Sequence, residues 1–300
     1  MEMQRIAFVG SGVMAEVMIN GLLTREVTSP ERIWAAGPRQ ERADQLFTTY
    51  GIRGTTDNVE AVENADIVVL SVKPQTLAKV LEQIRGSIRH EHLVMSIIAG
   101  ARMGAIGRAL GHPAIVRCMP NLPCQIHRGM TIWTATPEVS PPVREHVRSI
   151  LQTMGKEIYV PDETDVDRAT AVNGTGPALI AYFVKSLEDA ANFIGESRSL
   201  ARRSVLETII GTAEMILSSE RHVGELIDGV TSPGGTTSRA LHVLHQGRFS
   251  AVLTDAIDAA YRRTLELGTR LEEQVGDAAQ ASERTRKVSS PTTAGSSENS

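Results

Sequence analysis

Cysteine is almost absent from the chain, which holds only Cys118 and Cys124 among its 300 residues. Two thiols cannot build a disulfide framework, and no second Cys pair completes a zinc site, so both read as small core residues. A basic excess is missing too. Lys+Arg 31 against Asp+Glu 35 leaves a net charge of −4, which excludes a dedicated nucleic-acid binder that must neutralise phosphates. No apolar run reaches the roughly 18–20 residues that span a bilayer. The N-terminus opens on the strand-like Arg5–Gly10 rather than on a basic region, an apolar segment and a cleavage site. There is no internal repeat. These absences predict a soluble, cytoplasmic protein with no nucleic-acid or membrane partner and no metal.

The composition that remains is globular, with 41% hydrophobic and 22% charged residues, and the length suits about two domains. In the first half, short β-branched runs (6–10, 32–36, 67–71, 93–98, 115–119 and 130–134) alternate with amphipathic stretches (13–24, 41–50, 76–85, 103–110 and 143–154). Nearly continuous apolar strands separated by helices predict a doubly wound α/β domain, with a parallel sheet covered on both faces. After about residue 162 the strand signals stop, and helical spacing takes over in 178–194, 200–217 and 251–267. The expected division is a dinucleotide-binding domain over 1–162, an all-helical domain over 163–271 and a disordered tail over 272–300, where Ser, Thr and Gly crowd out apolar residues.

Gly10-Ser11-Gly12-Val13-Met14-Ala15 follows the first strand and opens the first helix. This is G-x-G-x-x-A in the context the motif demands. The first Gly permits the turn, the second lets backbone approach a pyrophosphate, and Ala15 keeps helix and strand close. An NAD site usually places a carboxylate at the end of the second strand. Here that strand ends in Ala35-Ala36 and runs into Gly37-Pro38-Arg39. No acid is present to repel a 2′-phosphate, and Arg39, with Arg42 as a second candidate, can pair with one. NADPH is therefore expected over NADH, with NADH still usable.

Two loops in the second half, Asn173-Gly-Thr175-Gly-Pro177 and Val230–Thr237, are rich in Gly and hydroxyl residues and precede helices. Their free N–H groups and hydroxyls suit a small carboxylate. Lys73 closes an apolar strand, where open α/β sheets bind ligands. His242 and His245 lie three apart without a third ligand nearby, and Arg198, Arg202 and Arg203 read as a solvated face.

Together, Gly10–Ala15, Val72-Lys73-Pro74, Arg117-Cys-Met-Pro-Asn121, Asn173–Pro177 and above all Thr231-Ser-Pro-Gly-Gly-Thr-Thr237 resemble the pyrroline-5-carboxylate reductases over about residues 5–268. The resemblance implies a Rossmann domain, a helical domain that dimerises by interleaving, and NAD(P)H-dependent reduction of 1-pyrroline-5-carboxylate to L-proline in proline biosynthesis. By matching position it implies that Lys73, Pro74, Met119, Pro120 and Asn121 line the nicotinamide end, and that Val72 and Asn58 contact the cofactor. It further implies that Ser232, Gly234, Gly235 and Thr236, with Asn173 and Thr175, hold the substrate carboxylate, and that Thr237 faces the ring nitrogen. The chain departs from the family at Asn173, where a Ser is usual, at Leu179 for an aromatic, and at His245 for a carboxylate. The alternatives are a β-hydroxyacid-type dehydrogenase, an imine reductase on another small substrate, and a non-catalytic NADP-binding regulator. The dehydrogenase would need a catalytic lysine in the second half, where Lys185 is the only lysine in the helical core.

Overall fold

The computed structural model describes residues 4–289, with side-chain environments to 278. Eight strands form one sheet: β1 (Ile6–Val9), β2 (Ile33–Ala36), β3 (Arg53–Thr55), β4 (Ile67–Leu70), β5 (Leu93–Ser96), β6 (Ile115–Met119), β7 (Gly129–Ala135) and β8 (Gly155–Tyr159). Their spatial order is β3-β2-β1-β4-β5-β6-β7-β8. Seven helices accompany them: α1 (Val13–Thr24), α2 (Gln40–Tyr50), α3 (Asn58–Glu63), α4 (Leu77–Ile84), α5 (Met103–Leu110), α6 (Pro141–Gln152) and α7 (Glu163–Ala169). A π-helical turn spans Thr170–Gly174. Five more follow: α8 (Gly176–Phe193), α9 (Arg198–Ser218), α10 (Val223–Gly229), α11 (Thr236–Gln246) and α12 (Phe249–Ser289).

Strand periodicity sorts the core into two layers, because successive side chains point to opposite faces. Ile6, Phe8, Ile67 and Val69 pack with Met18, Ile19 and Leu22 of α1 and with Ile150 and Leu151 of α6. Val9, Val68 and Leu70 pack on the other face with Leu77 and Leu81 of α4 and Ile106 of α5. Burial on both faces explains why these strands read as unbroken apolar runs.

The sheet is mixed rather than parallel throughout, which corrects the expectation from sequence. β7 runs antiparallel to β6, pairing Arg117 with Thr134 and Met119 with Ile132. The link between them, residues 120–128, is too short for the crossover of a dozen or more residues that a parallel neighbour requires. β3 and β8 escaped the sequence reading because both are edge strands. Arg-Gly-Thr has no apolar pattern, and Gly-Lys-Glu-Ile-Tyr is nowhere buried.

The chain divides into two compact units, 1–174 with 261–300, and 175–260. α7, which opens the expected helical domain at 163, is bound to the sheet by charge. The Arg117 guanidinium, 1% exposed, meets Asp167 at 2.5 Å and Glu163 at 3.1 Å. A buried cation left without such partners would cost several kcal/mol, on the order of 3–5. The expected tail from 272 is instead helical to Ser289. Leu271 and Val275 enter the core beside α4 and α5, and Glu272 lies 3.8 Å from Arg102. The remainder, 290–300, lies outside the described residues.

The second unit buries almost nothing apolar by itself. Ala201 is its one buried hydrophobic residue, while Phe193 (91% exposed), Leu217 (78%) and Tyr182 (73%) face outward. Among the described residues no helix is long and apolar enough to cross a membrane.

Candidate functional site

The carboxyl ends of β1, β2 and β4 meet where the strand order reverses, with β2 on one side of β1 and β4 on the other. Such a switch point opens a crevice. Gly10 lines it with a φ of +109°. A Cβ there would lie 2.6 Å from the Ser71 carbonyl carbon and 2.7 Å from the Val72 nitrogen, so backbone occupies all the space a side chain needs. The Gly10 N–H donates to the Ala36 carbonyl at 2.9 Å, and the Ser71 hydroxyl donates to the Gly10 carbonyl at 2.7 Å. Three strand ends are thereby tied at one glycine.

Gly12 is different. It caps α1 with no side-chain bond, and nothing lies within 4 Å of where its Cβ would be. The first N–H groups of α1 have no intrahelical acceptor and carry the positive end of the helix dipole. Val13 is exposed, Ser11 and Met14 are half-buried, and Ala15 is buried against the sheet. Space and N–H donors thus coincide beside Gly12, a cradle that fits a pyrophosphate.

Glu16 would oppose an anion here, but Arg42 donates to its carboxylate at 2.5 Å and to the Ser11 carbonyl at 3.0 Å. The Tyr50 hydroxyl donates to the same carboxylate at 3.1 Å; burial, then the Glu16 charge, raises its pKa and keeps it a donor. Arg42 is therefore committed to the turn and not open to a 2′-phosphate, which corrects its candidacy. Arg39 is exposed at the uncapped start of α2, and no side-chain partner holds its guanidinium among the described residues.

Beside the turn lies a cavity of about 540 Å³, lined by Gly10, Gly37, Asn58, Val72, Lys79 and Gln83, among others. Asn58 donates to the Gln83 side chain at 2.9 Å. The sequence reading missed Lys79, Val80 and Gln83, which α4 presents at i, i+1 and i+4. Only the helix's amphipathic spacing could have signalled them. Lys73 is exposed, Pro74 half-buried, and the Lys73 carbonyl accepts from both the N–H and the hydroxyl of Thr76.

Further along the sheet, Pro120 is buried, and Met119 and Asn121 are half-buried at the end of β6. Asn121 donates to the Asn173 side chain at 2.8 Å and accepts the Met130 N–H at 2.9 Å. Asn173 donates to the Met119 carbonyl at 3.1 Å and to the Met130 carbonyl at 3.0 Å. Both of its amide hydrogens are used. Its donors are thus engaged with the backbone of β6 and β7.

In the second unit, Ser232–Gly235 forms a turn in which the Gly235 N–H donates to the Ser232 carbonyl at 3.0 Å. Gly234 takes a φ of +71°, and a Cβ on Gly235 would collide with the Ser232 hydroxyl. Gly235 then caps α11 without a side-chain bond. The N–H groups of Thr236, Thr237 and Ser238 at this start have no intrahelical acceptor. Thr237 is half-buried, and no hydrogen bond occupies its hydroxyl among the described residues. Thr175, also half-buried, precedes α8.

The residues 163–267 match the model of the pyrroline-5-carboxylate reductase dimerisation domain, and 5–100 match that of NADP oxidoreductase, coenzyme F420-dependent. The chain is 37% identical to the pyrroline-5-carboxylate reductase of Pseudomonas aeruginosa, covering 90% of this chain and 99% of that one. With the Synechocystis reductase it shares 36%, over 89% and 99%. The chain belongs to the pyrroline-5-carboxylate reductase family. A solved family member, Plasmodium falciparum pyrroline carboxylate reductase with NADP bound, superposes with a TM-score of 0.82 at 30% identity, over 89% of this chain and 99% of that one.

Among the described residues, the other polar groups singled out in the sequence supply no lysine base, thiol nucleophile or metal site. Lys185 is exposed and paired with Asp189 at 2.5 Å, which raises its pKa, the opposite of what a lysine base needs. Burial pushes the Cys118 thiol far up, so it is no nucleophile. His242 and His245 are exposed, and among the described residues no three His, Cys, Asp or Glu side chains gather as a metal site.

The two turn glycines should separate folding from binding. Gly12→Ala should fold with an unchanged Tm and weaken NADPH binding by about tenfold or more, because its methyl enters the open cradle. Gly10→Ala should lower stability by at least about 1–3 kcal/mol, because it adds a Cβ at positive φ against backbone. Calorimetry with cofactor titration checks both. Gly12→Ala with normal affinity would remove the cradle from phosphate binding.

Proposed function

We propose that this protein reduces 1-pyrroline-5-carboxylate to L-proline with NADPH, the last step of proline biosynthesis. One observation carries the reading: a member of this family presents both an open phosphate cradle at Gly12 and an uncapped helix start at Gly235–Thr237 with a free hydroxyl. The first suits a dinucleotide and the second a small carboxylate. We place the reaction in the cytoplasm, in keeping with two free, buried cysteines.

Gly10, Ser11, Gly12, Val13, Met14 and Ala15 supply the pyrophosphate turn, and Asn58 and Val72 line the adjoining cavity. Arg39 and the start of α2 take the 2′-phosphate. Lys73, Pro74, Met119, Pro120 and Asn121 form the nicotinamide end. Bound NADPH supplies a hydride to the electron-poor imine carbon. Ser232, Gly234 and Thr236, with Thr175, bind the carboxylate through backbone N–H groups and hydroxyls, and Gly235 shapes the turn that presents them. The protonated ring nitrogen donates its N–H to Thr237 Oγ1, which orients it. The imine carries its own proton, so no strongly acidic side chain is needed, and catalysis rests on holding the reacting atoms close.

In an assay at 340 nm with pyrroline-5-carboxylate, NADPH should give the higher kcat/KM of the two cofactors. Arg39→Ala should remove most of that preference, roughly ten- to a hundredfold for a charge-assisted phosphate contact. No turnover with either cofactor would overturn the function; equal values for both would overturn the cofactor assignment alone.

The outward apolar residues of the second unit, and its match to a dimerisation domain, support a homo-oligomer that covers them. Light scattering should return at least twice the mass of one chain. A fully active monomer contradicts this.

Thr237→Val keeps the shape and removes the hydroxyl, while Thr237→Ser keeps the hydroxyl. The helix is capped by Gly235 and not by Thr237, so the valine variant should keep its Tm. It should lose kcat/KM relative to the serine variant by on the order of 10²–10³, with NADPH affinity unchanged. An active valine variant would take Thr237 out of the mechanism.

A further inference from the structure

The reading above leaves Asn173 without a part in binding substrate, although it lies in a motif expected to do so. Its hydrogen bonds point to another task. An amide has two donor hydrogens and one carbonyl oxygen. Here the hydrogens go to the carbonyls of Met119 and Met130, at 3.1 and 3.0 Å, and the oxygen accepts from Asn121 at 2.8 Å. Two carbonyl acceptors settle which end of the Asn173 amide is nitrogen. The Met130 N–H, at 2.9 Å from the Asn121 oxygen, settles the other amide. One side chain therefore joins the end of β6, the start of β7 and the π turn.

We propose that Asn173 is a positioning residue for the cofactor: it latches Met119–Asn121 in place as the wall for the nicotinamide end of the dinucleotide. The proposal rests on the dinucleotide reading given above, in which the nicotinamide lies on the β4–β6 side of the switch point. The π turn puts Asn173 in reach of both strands, a use typical of such turns near functional sites. Met119 is held a second time by Gly174, where a Cβ would lie 2.9 Å from the methionine methyl.

A serine at 173 would have one hydrogen to give and could serve only one of the two carbonyls, so the latch needs the amide. The latch is also separable from the fold. Two residues before Met119, Arg117 ties β6 to α7 through Asp167 and Glu163 independently of Asn173. Removing the latch should loosen the wall while the sheet and α7 stay joined.

The test compares Asn173→Ala and Asn173→Ser with the unsubstituted full-length chain, using two binding probes and steady-state kinetics. The probes are NADPH and 2′,5′-ADP, which carries the adenosine phosphates without the nicotinamide. The alanine variant should bind 2′,5′-ADP normally and NADPH several-fold more weakly. Its kcat should fall on the order of tenfold, with KM for pyrroline-5-carboxylate within about twofold of the original. Serine, keeping one donation, should fall between. Asn121→Ala combined with Asn173→Ala should be little worse than either alone, because both break one network.

A raised KM for pyrroline-5-carboxylate with kcat and NADPH affinity intact would overturn the proposal in favour of a substrate contact. Equal weakening of both probes, or a lower Tm with normal NADPH affinity, would overturn it in favour of a structural role. If the unsubstituted chain shows no turnover, the enzymatic reading fails, and the comparison of the two probes still decides the role of Asn173.

Discussion

A guanidinium that is 1% exposed has to be paired where it lies, and Arg117 finds its partners nearly fifty residues further along the chain, in Glu163 and Asp167. That constraint sets where the sheet hands over to the helical half. It draws α7 onto β6, so the π turn that follows begins beside the carboxyl end of that strand. Asn173 then stands next to Met119 and Met130, and the two asparagines close their network. Arg102 extends the charge cluster from Asp167 at 3.6 Å to Glu272 on α12 at 3.8 Å. The seat of α7 on β6 and the asparagine network at the carboxyl end of that strand rest on this arrangement of charge.

The phosphate side works by vacancy and backbone rather than by a strong field. The chain carries a net charge of −4; of the acids beside the turn, Glu16 is occupied by Arg42 and Tyr50, and Asp57 accepts the Val59 N–H at the start of α3. What could draw an anion is local: uncapped N–H groups at α1 and α2 and the dipole ends behind them, with Arg39 exposed at the start of α2. Gly10 and Gly12 show two separate reasons for glycine in one motif. At the first, backbone from a neighbouring strand fills the place of a side chain; at the second, the place is open.

The helical unit reverses the usual relation between sequence and burial. Its helices carry ample apolar surface, yet Ala201 is the only hydrophobic side chain that unit buries within one chain. Exposed apolar surface of that extent marks an interaction face, in keeping with this unit's match to a dimerisation domain.

Much of the fold and part of the site were legible in the sequence, because they depend on neighbours in the chain. The Gly10–Ala15 turn, the alternation of strand and helix, the missing acid at Ala35-Ala36 and the Ser232–Thr237 loop are contiguous patterns whose chemistry is local. The tertiary structure decided what depends on distant partners. β7 turned antiparallel because its link to β6 is short, and β3 and β8 formed as edges with little apolar signal of their own. The span from 272 to 289 is helical because Leu271 and Val275 anchor it in the core, where composition alone read as disorder. Arg42 and Asn173 looked available for ligands as residue types. They are engaged because folding brings Glu16 and Ser11 to one, and Met119, Met130 and Asn121 to the other. A side chain's hydrogen-bonding capacity is written in the sequence, but which groups use it is settled only when the chain has folded.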